Sequence, residues 1–440
     1  MAWFDIGRGW ARAVVLGGLV LLAGCGGGGG GSTLAFSISV TVTGLSGSGL
    51  VLRLNSADTL PVAGNGVLTF ASTLPAGAVY VVTVAATPSS PTQRCLVANG
   101  TGTVSAGNVT QVAVTCQSVT SAAYVVYQGS NTVSQYSVAA DGGLTPLLPS
   151  VGIGATPNAI ALDPLGRFAY VAINNGTLLE YTIAADGRLS PLRPPAVFIS
   201  ANPTSITVSP SGAHAYVTTP DGNVWQFAIG TDGRLGALSP ANVVTGLLSP
   251  SSIAIDPSGR FGYVAHSGSQ AVAQFAVGAN GGLTPMTPTS VPAGLGTTAV
   301  TSDATGQFVY ATNLGGGTVS NYRIGANGGL IAIGNGTVVG NQPRDLAPHP
   351  NGRDIYVANF AGDEIVLLRA GADGALVLAT GVGSTAVGAP RSLSIDSTGQ
   401  FAYVTTGNDT VVRYAIGADG SLSAPAVTAT GVTPVAIALR

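Results

Sequence analysis

The 440-residue sequence predicts an all-β protein: a seven-bladed β-propeller closed by pairing of its N- and C-terminal strands, preceded by a small β-sandwich. Three observations predict it. One unit of 46 or 47 residues recurs seven times across residues 122–440, aligned on Tyr124, Tyr170, Tyr216, Tyr263, Tyr310, Tyr356 and Tyr403. A period of that length, built from short strands and Gly-rich turns, is the signature of one propeller blade per repeat. Two turn motifs recur within the unit, and one of them is missing where the sequence stops. Ahead of the repeats, residues 33–118 carry short alternating apolar runs with no such period.

The segment before residue 33 belongs to no predicted fold. Arg8 and Arg12 precede an apolar stretch, 13–23, that is too short to span a bilayer but suits a signal-peptide core. Leu22-Ala23-Gly24-Cys25 resembles the lipobox of bacterial lipoproteins, which implies a signal peptide over 1–24 and lipidation of Cys25. An ordinary signal peptide with an incidental cysteine is the alternative. Residues 25–32 read as a Gly-rich tether; no Lys-Ser/Thr follows the glycines and no strand precedes them, which excludes a phosphate loop. By this reading the protein meets a membrane only through its lipid, as an outer-membrane lipoprotein of the cell envelope facing periplasm or cell surface. Without residues 1–24 the chain keeps 14 Arg, no Lys and 17 acidic residues. A net charge near −3 with no basic cluster excludes nucleic acid as a partner.

In 33–118, Phe36, Ile38, Val40 and Val42 alternate with Ser37, Ser39, Thr41 and Thr43, the period of a half-buried strand. Further strands are predicted at 50–54, 67–70, 79–84 and 109–116, each bounded by Gly, Asn or Pro. Short strands at that density predict a sandwich. Cys95 and Cys116 are the only cysteines besides Cys25, and in an oxidising compartment they are expected to form a disulfide. The segment resembles the Ig-like modules placed between a lipobox and a bacterial propeller, which implies a spacer.

Each full repeat carries four strand signals; in the second they fall at 159–162, 168–172, 178–183 and after Leu189. The first recurring turn reads Asp-Pro-x-Gly-Arg in its fullest form, at 164–167, 210–213, 257–260, 304–307, 350–353 and 397–400, its Gly supplying a positive φ. The second is Asp-Gly or Asn-Gly at 141, 186, 232, 280, 327, 373 and 419, predicted to form type I′ hairpins. Turn geometry accounts for these Asp and Asn, so no metal site is assigned. The first turn occurs six times and the second seven. The missing turn would join Leu439-Arg440 to Ala122-Ala123, so residues 435–439 are expected to pair with the strand at Ala122.

Both stereotyped turns lie on one face of an antiparallel blade. The opposite face holds the variable loops, and loops on a rigid scaffold are the usual seat of binding. Two departures from the repeat fall there. The residue after the Pro that opens each inner strand is Asn158, Thr204, Ser251, Thr298 (after Thr297), Arg344, Arg391 and Val435. Arg344 and Arg391, in adjacent blades at the channel mouth, are candidate ligands for a carboxylate or phosphate. Pairing of each with a nearby carboxylate such as Asp345 is the plain alternative. Three residues after each Tyr the chain reads Tyr127, Ile173, Thr219, His266, Asn313, Asn359 and Thr406. Tyr127, Asn313 and Asn359 join the candidate binding set, and His266 is the candidate base; a lone loop His is otherwise exposed surface. His349 aligns with Asp163, Ser209, Asp256, Asp303 and Asp396, the turn-capping position.

The repeat, with its Tyr-Val-Ala-Asn strand ends and Asp-Gly-x-Leu hairpins, resembles the lactonase family of seven-bladed propellers, which includes 6-phosphogluconolactonase-like proteins and a muconate-cyclising relative. The resemblance covers 122–440 and is sharpest from Pro343-Arg344-Asp345 to Tyr356-Val357-Ala358-Asn359. Members of the family typically carry Pro-Arg-His at the first place and Asn-Glu at the end of the second. Here Arg344 matches, Asp345 stands for the His, Phe360 for the Glu, and Asn158 for a further His. The resemblance implies the fold. A lactonase must activate water and hold an anion, and the departures imply that the cations are kept while the acid/base groups are depleted. No Gly-x-Ser-x-Gly, His-Glu-x-x-His or cysteine pair occurs in the repeats, and no cofactor is implied. The expected function is a monomeric, lipid-anchored propeller that binds a small anion or an envelope protein. The alternative is a lactonase hydrolysing a lactone ester, with the Arg residues holding its anionic substrate.

Overall fold

The structure, a computed structural model, describes residues 34–55, 58–88, 93–199, 201–379, 385–423 and 425–440. The signal segment, Cys25 and the Gly-rich tether lie outside the described residues. Every regular element among them is a strand, and Ala35–Arg440 forms one compact unit.

Residues 35–118 build two four-stranded sheets. One runs Gly66–Pro75, Ala35–Thr43, Val109–Ser118, Gln93–Ala98; the other runs Asp58–Val62, Leu50–Leu54, Val79–Ala86, Thr101–Thr103. The alternation in the first strand buries Ile38, Val40 and Val42 against Leu52, Phe70, Val82, Val112 and Val114. Cys95 and Cys116 face each other in register and are disulfide-bonded. The strands Asp58–Val62, Gln93–Ala98 and Thr101–Thr103 lie at the sheet edges, and their sequences carry no regular apolar alternation from which to predict them.

Residues 122–440 build seven further sheets, numbered here as blades. Blade 2 is typical: Pro157–Leu162, Phe168–Ile173, Thr177–Ile183 and Leu189–Phe198 pair antiparallel in sequence order. The inner strands of blades 3 to 7 are Ser205–Val208, Pro250–Ile255, Thr297–Ser302, Pro343–Pro348 and Pro390–Ile395. Blade 1 takes its inner strand, Pro434–Leu439, from the C-terminal end, paired with Ala122–Tyr127. Each inner strand touches those of the two neighbouring blades in cyclic order, so all seven surround one axis in a propeller-like arrangement.

The repeated residues hold blade to blade. The hydroxyls of Tyr124, Tyr170, Tyr216, Tyr263, Tyr356 and Tyr403 each donate to the carbonyl of the Gly in the next blade's Asp-Gly or Asn-Gly turn, at 2.7–2.9 Å. Blade 5 differs: the Asn321 amide donates to Gly374 O, and the buried Tyr310 hydroxyl has no partner among the described residues. A second staple runs from the third strand, where Gln226 Oε1 accepts from Leu283 N and Glu180 Oε1 from Leu235 N, each at 2.6 Å. Burial pushes the Glu180 carboxyl above the usual carboxylate range, partly offset by that hydrogen bond.

The Asp-Gly hairpins are not type I′. Only the Gly has positive φ (79° at Gly142), while Ala139 N donates to Gly143 O and Gly142 N to Ala139 O. That is a three-residue loop, a type I turn closed by a left-handed Gly. The arrangement leaves the Asp side chain free to accept from the backbone two residues on, as Asp141 does from Gly143 N. Here Gly is required twice over, because a Cβ on Gly328 would come within 2.1 Å of the Phe261 ring. The Pro-x-Gly glycines all have φ between 65° and 72°, as expected.

The sandwich sits on the face that carries these turns. Arg94 donates to Leu439 O at the end of the blade 1 inner strand, and Thr120 to Ala185 O in blade 2. Cavities of about 170 and 300 Å³ separate strand Val79–Ala86 and its neighbours from the turns of blades 4 to 7. The first domain thus packs over the axis, where a spacer was expected.

Candidate functional site

The opposite end of the axis is framed by the starts of the inner strands. At six of them the pairing slips by one residue after the opening Pro or Thr, a β-bulge that leaves the following residue unpaired. Bulges re-aim a side chain, and here the re-aimed residues are Asn158, Ser251, Thr298, Arg344, Arg391 and Val435. Their linkers are tightly turned: Ser249, Gln342, Ala389 and Thr433, each directly before the Pro, hold φ of 47–58°. Such non-Gly backbone is costly and persists only where its surroundings impose it.

In blades 2 to 4 the position after the Pro is a staple. Asn158 Nδ2 donates to Pro203 O at 2.7 Å, Thr204 Oγ1 to Pro250 O at 2.9 Å, and Ser251 Oγ to Thr297 O at 3.1 Å. Arg344 and Arg391 depart from that role. Neither takes part in an ion pair among the described residues. Instead both guanidinium groups lie over the ring of Phe360, 5.4 and 5.6 Å from its centroid. Arg391 Nε is buried without a hydrogen-bond partner among the described residues. Burial pulls the Arg344 guanidinium below the usual arginine range, with the Arg391 charge acting in the same direction and Asp345 against it.

Asp345 does not neutralise the pair, because its oxygens are engaged elsewhere. Oδ1 accepts from Leu346 N and Oδ2 from Leu393 N in blade 7, both at 2.9 Å. Burial raises its carboxyl above the usual range, while these bonds, Ser392 and Arg344 pull the other way. Ser252 occupies the same place in blade 4 and accepts from Val300 N.

The second departure from the repeat resolves differently. Tyr127, Ile173, Thr219, His266, Asn313, Asn359 and Thr406 close the second strands and are all buried. His266, expected on an exposed loop, is fully buried; Nδ1 lies 3.3 Å from Leu248 O, and Nε2 has no partner among the described residues. Burial lowers its pKa to about 4, so it is neutral near pH 7. Asn313 accepts from Gly294 N and Thr297 Oγ1 and donates to Thr318 and Ser320. Asn359 Nδ2 donates to Val339 O at 2.7 Å and to Glu364, leaving Oδ1 buried and without a partner among the described residues. The Tyr127 hydroxyl meets that of Tyr136. His266, Asn313 and Asn359 each grip the linker that leads into their own blade. Their polarity serves the backbone of Leu248, Gly294 and Val339, which strand pairing leaves unbonded.

His349 caps its turn, accepting from Asn351 N at Nδ1 with Nε2 2.8 Å from Gly399 O. The cavities under the sandwich belong to this opposite face; Asp256 and Asp303, which line them, accept the backbone N–H groups of Phe261 and Phe308. Of the sequence candidates, the structure brings together Arg344 and Arg391 and places Phe360 between them in the cluster. Phe360 was visible only as a departure from a family pattern; nothing local in the sequence marks the ring as shared.

Residues 228–349 and 284–379, spanning blades 3 to 6, match the family described as lactonase, 7-bladed beta-propeller. No curated protein matches the sequence. Among solved structures, a candidate 6-phosphogluconolactonase from Bacteroides uniformis aligns with a TM-score of 0.64 and 16% identity, over 74% of this chain and 100% of its own. A second candidate 6-phosphogluconolactonase, from Bacteroides fragilis, gives 0.62 and 19%, over 73% and 98%. The periplasmic gluconolactonase of Pseudomonas aeruginosa gives 0.61 and 20%, over 72% and 98%. At these identities the likeness is one of fold.

Proposed function

We propose that this chain is a lactonase-like propeller, closed by its own terminal strands, that binds an anionic ligand at Arg344 and Arg391 and has no lactonase activity. One observation carries the reading: two adjacent guanidinium groups share one aromatic ring and have no carboxylate partner among the described residues. Placing like charges together is unfavourable unless something offsets it, and a bound anion with bidentate hydrogen bonds does so. The absence of catalysis rests on what replaces the family's polar groups. Asp345 is engaged by two backbone N–H groups, Phe360 cannot move a proton, and His266 is buried under its linker. The sequence features before residue 33 extend the proposal to an exported lipoprotein lipidated at Cys25, with an Ig-like module ahead of the ring. The net charge keeps nucleic acid outside it.

The second reading, a lactonase, is favoured by the family match over residues 228–379 and by the names of the three aligned structures, two candidate 6-phosphogluconolactonases and a gluconolactonase. Incubation with a panel of sugar and muconate-type lactones decides between them. The expected result is hydrolysis no faster than buffer. Turnover that Arg344→Ala abolishes would establish the lactonase and end the binding-only reading.

A further inference from the structure

In the third strands of blades 1, 3 and 4 one buried glutamine both accepts and donates. Gln135, Gln226 and Gln274 accept at Oε1 from the backbone N–H of Leu189, Leu283 and Leu330 in the next blade, at 2.5–2.6 Å. At Nε2 they donate to the carbonyls of Pro149, Pro240 and Pro288, 14 residues further on, at 2.9–3.1 Å. Glu180 holds this place in blade 2 and is as deeply buried. Its Oε1 keeps the first bond, to Leu235 N at 2.6 Å. Its Oε2 stands for the amide nitrogen and has no donor among the described residues.

Backbone register identifies what Oε2 faces. Third and fourth strands pair alike in blades 2, 3 and 4: Leu179 with Ala196 and Tyr181 with Pro191, Trp225 with Asn242 and Phe227 with Ala237, Ala273 with Ser290 and Phe275 with Pro285. Pro194 is therefore the counterpart of Pro240 and Pro288, and its carbonyl needs a donor. A carboxylate has no proton to give; a carboxylic acid has one. Burial acts in the same sense, raising the Glu180 carboxyl above its usual range. Asp232 and Arg234, in the blade 3 turn, pair with each other at 3.1 Å and act on Glu180 in opposite directions. The Tyr170 hydroxyl, from the residue paired with Glu180 on the second strand, donates to Gly233 O. Arg193, on the fourth strand, has its side chain outside the described residues.

We propose that Glu180 is a pH-sensitive latch on the fourth strand of blade 2, Leu189–Phe198. As a neutral acid it donates from Oε2 to Pro194 O; when that proton passes to solvent, the strand is released. The bond from Leu235 N persists, because a carboxylate oxygen accepts at least as well. A carboxyl whose folded-state pKa is raised supports the fold fully below its ordinary value of 4.5. That support is lost as pH rises through the folded value.

Urea denaturation of the intact chain and of Glu180→Gln, from pH 4.5 to about 8, tests it. The variant carries the residue that three other blades use at this place, and His266 titrates in both proteins and cancels in their ratio. The folding constant of the variant over that of the parent is expected to rise with pH, by about tenfold or more. Amides of 189–198 should exchange with solvent faster in the parent than in the variant at the alkaline end and equally at the acid end, with Leu235 N protected in both. A ratio that stays flat means that Glu180 titrates as it does in the unfolded chain, and overturns the proposal. A ratio that falls means that the carboxylate is the favoured form, held by a cation such as Arg193, and overturns it too. A rising ratio with no faster exchange in 189–198 overturns the latch.

Discussion

His266 carries an imidazole into a place without water, and the cost is paid in acid. Its pKa near 4 in the fold lies below the ordinary value of 6.5, so the unfolded chain binds the extra proton more readily. The stability this neutral ring supports is complete above pH 6.5 and is lost as pH falls towards 4. Asn stands at the equivalent positions 313 and 359 and performs the same linker grip without titrating. His266→Asn is therefore expected to lose less stability than the parent between pH 6.5 and 4, by roughly 2–3 kcal/mol at the acid end, as read by denaturation at each pH. Parallel loss of stability in both proteins over that range would show that the ring is not the acid-sensitive group. At this scale sequence reading found the positions but not their burial. Polarity at a strand end looks the same whether a side chain faces solvent or a linker carbonyl.

At the scale of the element, the repeated Tyr is a blade-to-blade bond and not only an alignment mark. Five hydroxyls reach a turn 63 to 65 residues further on, and the sixth, from Tyr403, reaches back to Gly142 in the first blade. In blade 5 the bond is absent because Asn321 has taken the acceptor. This gives an internal control. Tyr403→Phe should cost about 1 kcal/mol, leaving the Gly142 carbonyl without its partner, whereas Tyr310→Phe should be neutral or slightly stabilising. Chemical denaturation of the two variants checks it; equal losses would remove the hydroxyl bond as the reason for the Tyr. The hairpins show how far local sequence reaches. Asp-Gly or Asn-Gly located every turn, but the turn type depended on how the flanking strands twist, and at Gly142, Gly233, Gly328 and Gly374 the Gly is further required by a Phe ring from the preceding blade.

On the scale of the whole molecule, the sandwich covers the turn face while the arginine end stays open. Arg94, one residue from Cys95, reaches the last inner strand, and Cys116 lies near the crossing into blade 1. The disulfide closes a separation of 21 residues, worth about 3 kcal/mol to the sandwich. Cys95→Ser with Cys116→Ser should accelerate tryptic cleavage after Arg94 and leave the propeller resistant. Unchanged cleavage would mean that packing on the ring, and not the disulfide, holds that strand.

By itself the sequence determined the period, the places of both turns, the strand order of each blade and the pairing of the two ends. These follow from short-range rules: φ at Gly, alternation along a strand, and a count of turns. It also singled out Arg344 and Arg391, because a repeat makes exceptions visible. Only the tertiary structure decided which exceptions are open. Asn158, Thr204 and Ser251 occupy the same position as the two arginines, yet their side chains are spent on a backbone carbonyl of the next blade, whereas both arginines turn to the ring of Phe360. Whether a polar group is spent or free depends on distances across blades about 46 residues apart, which no local pattern encodes.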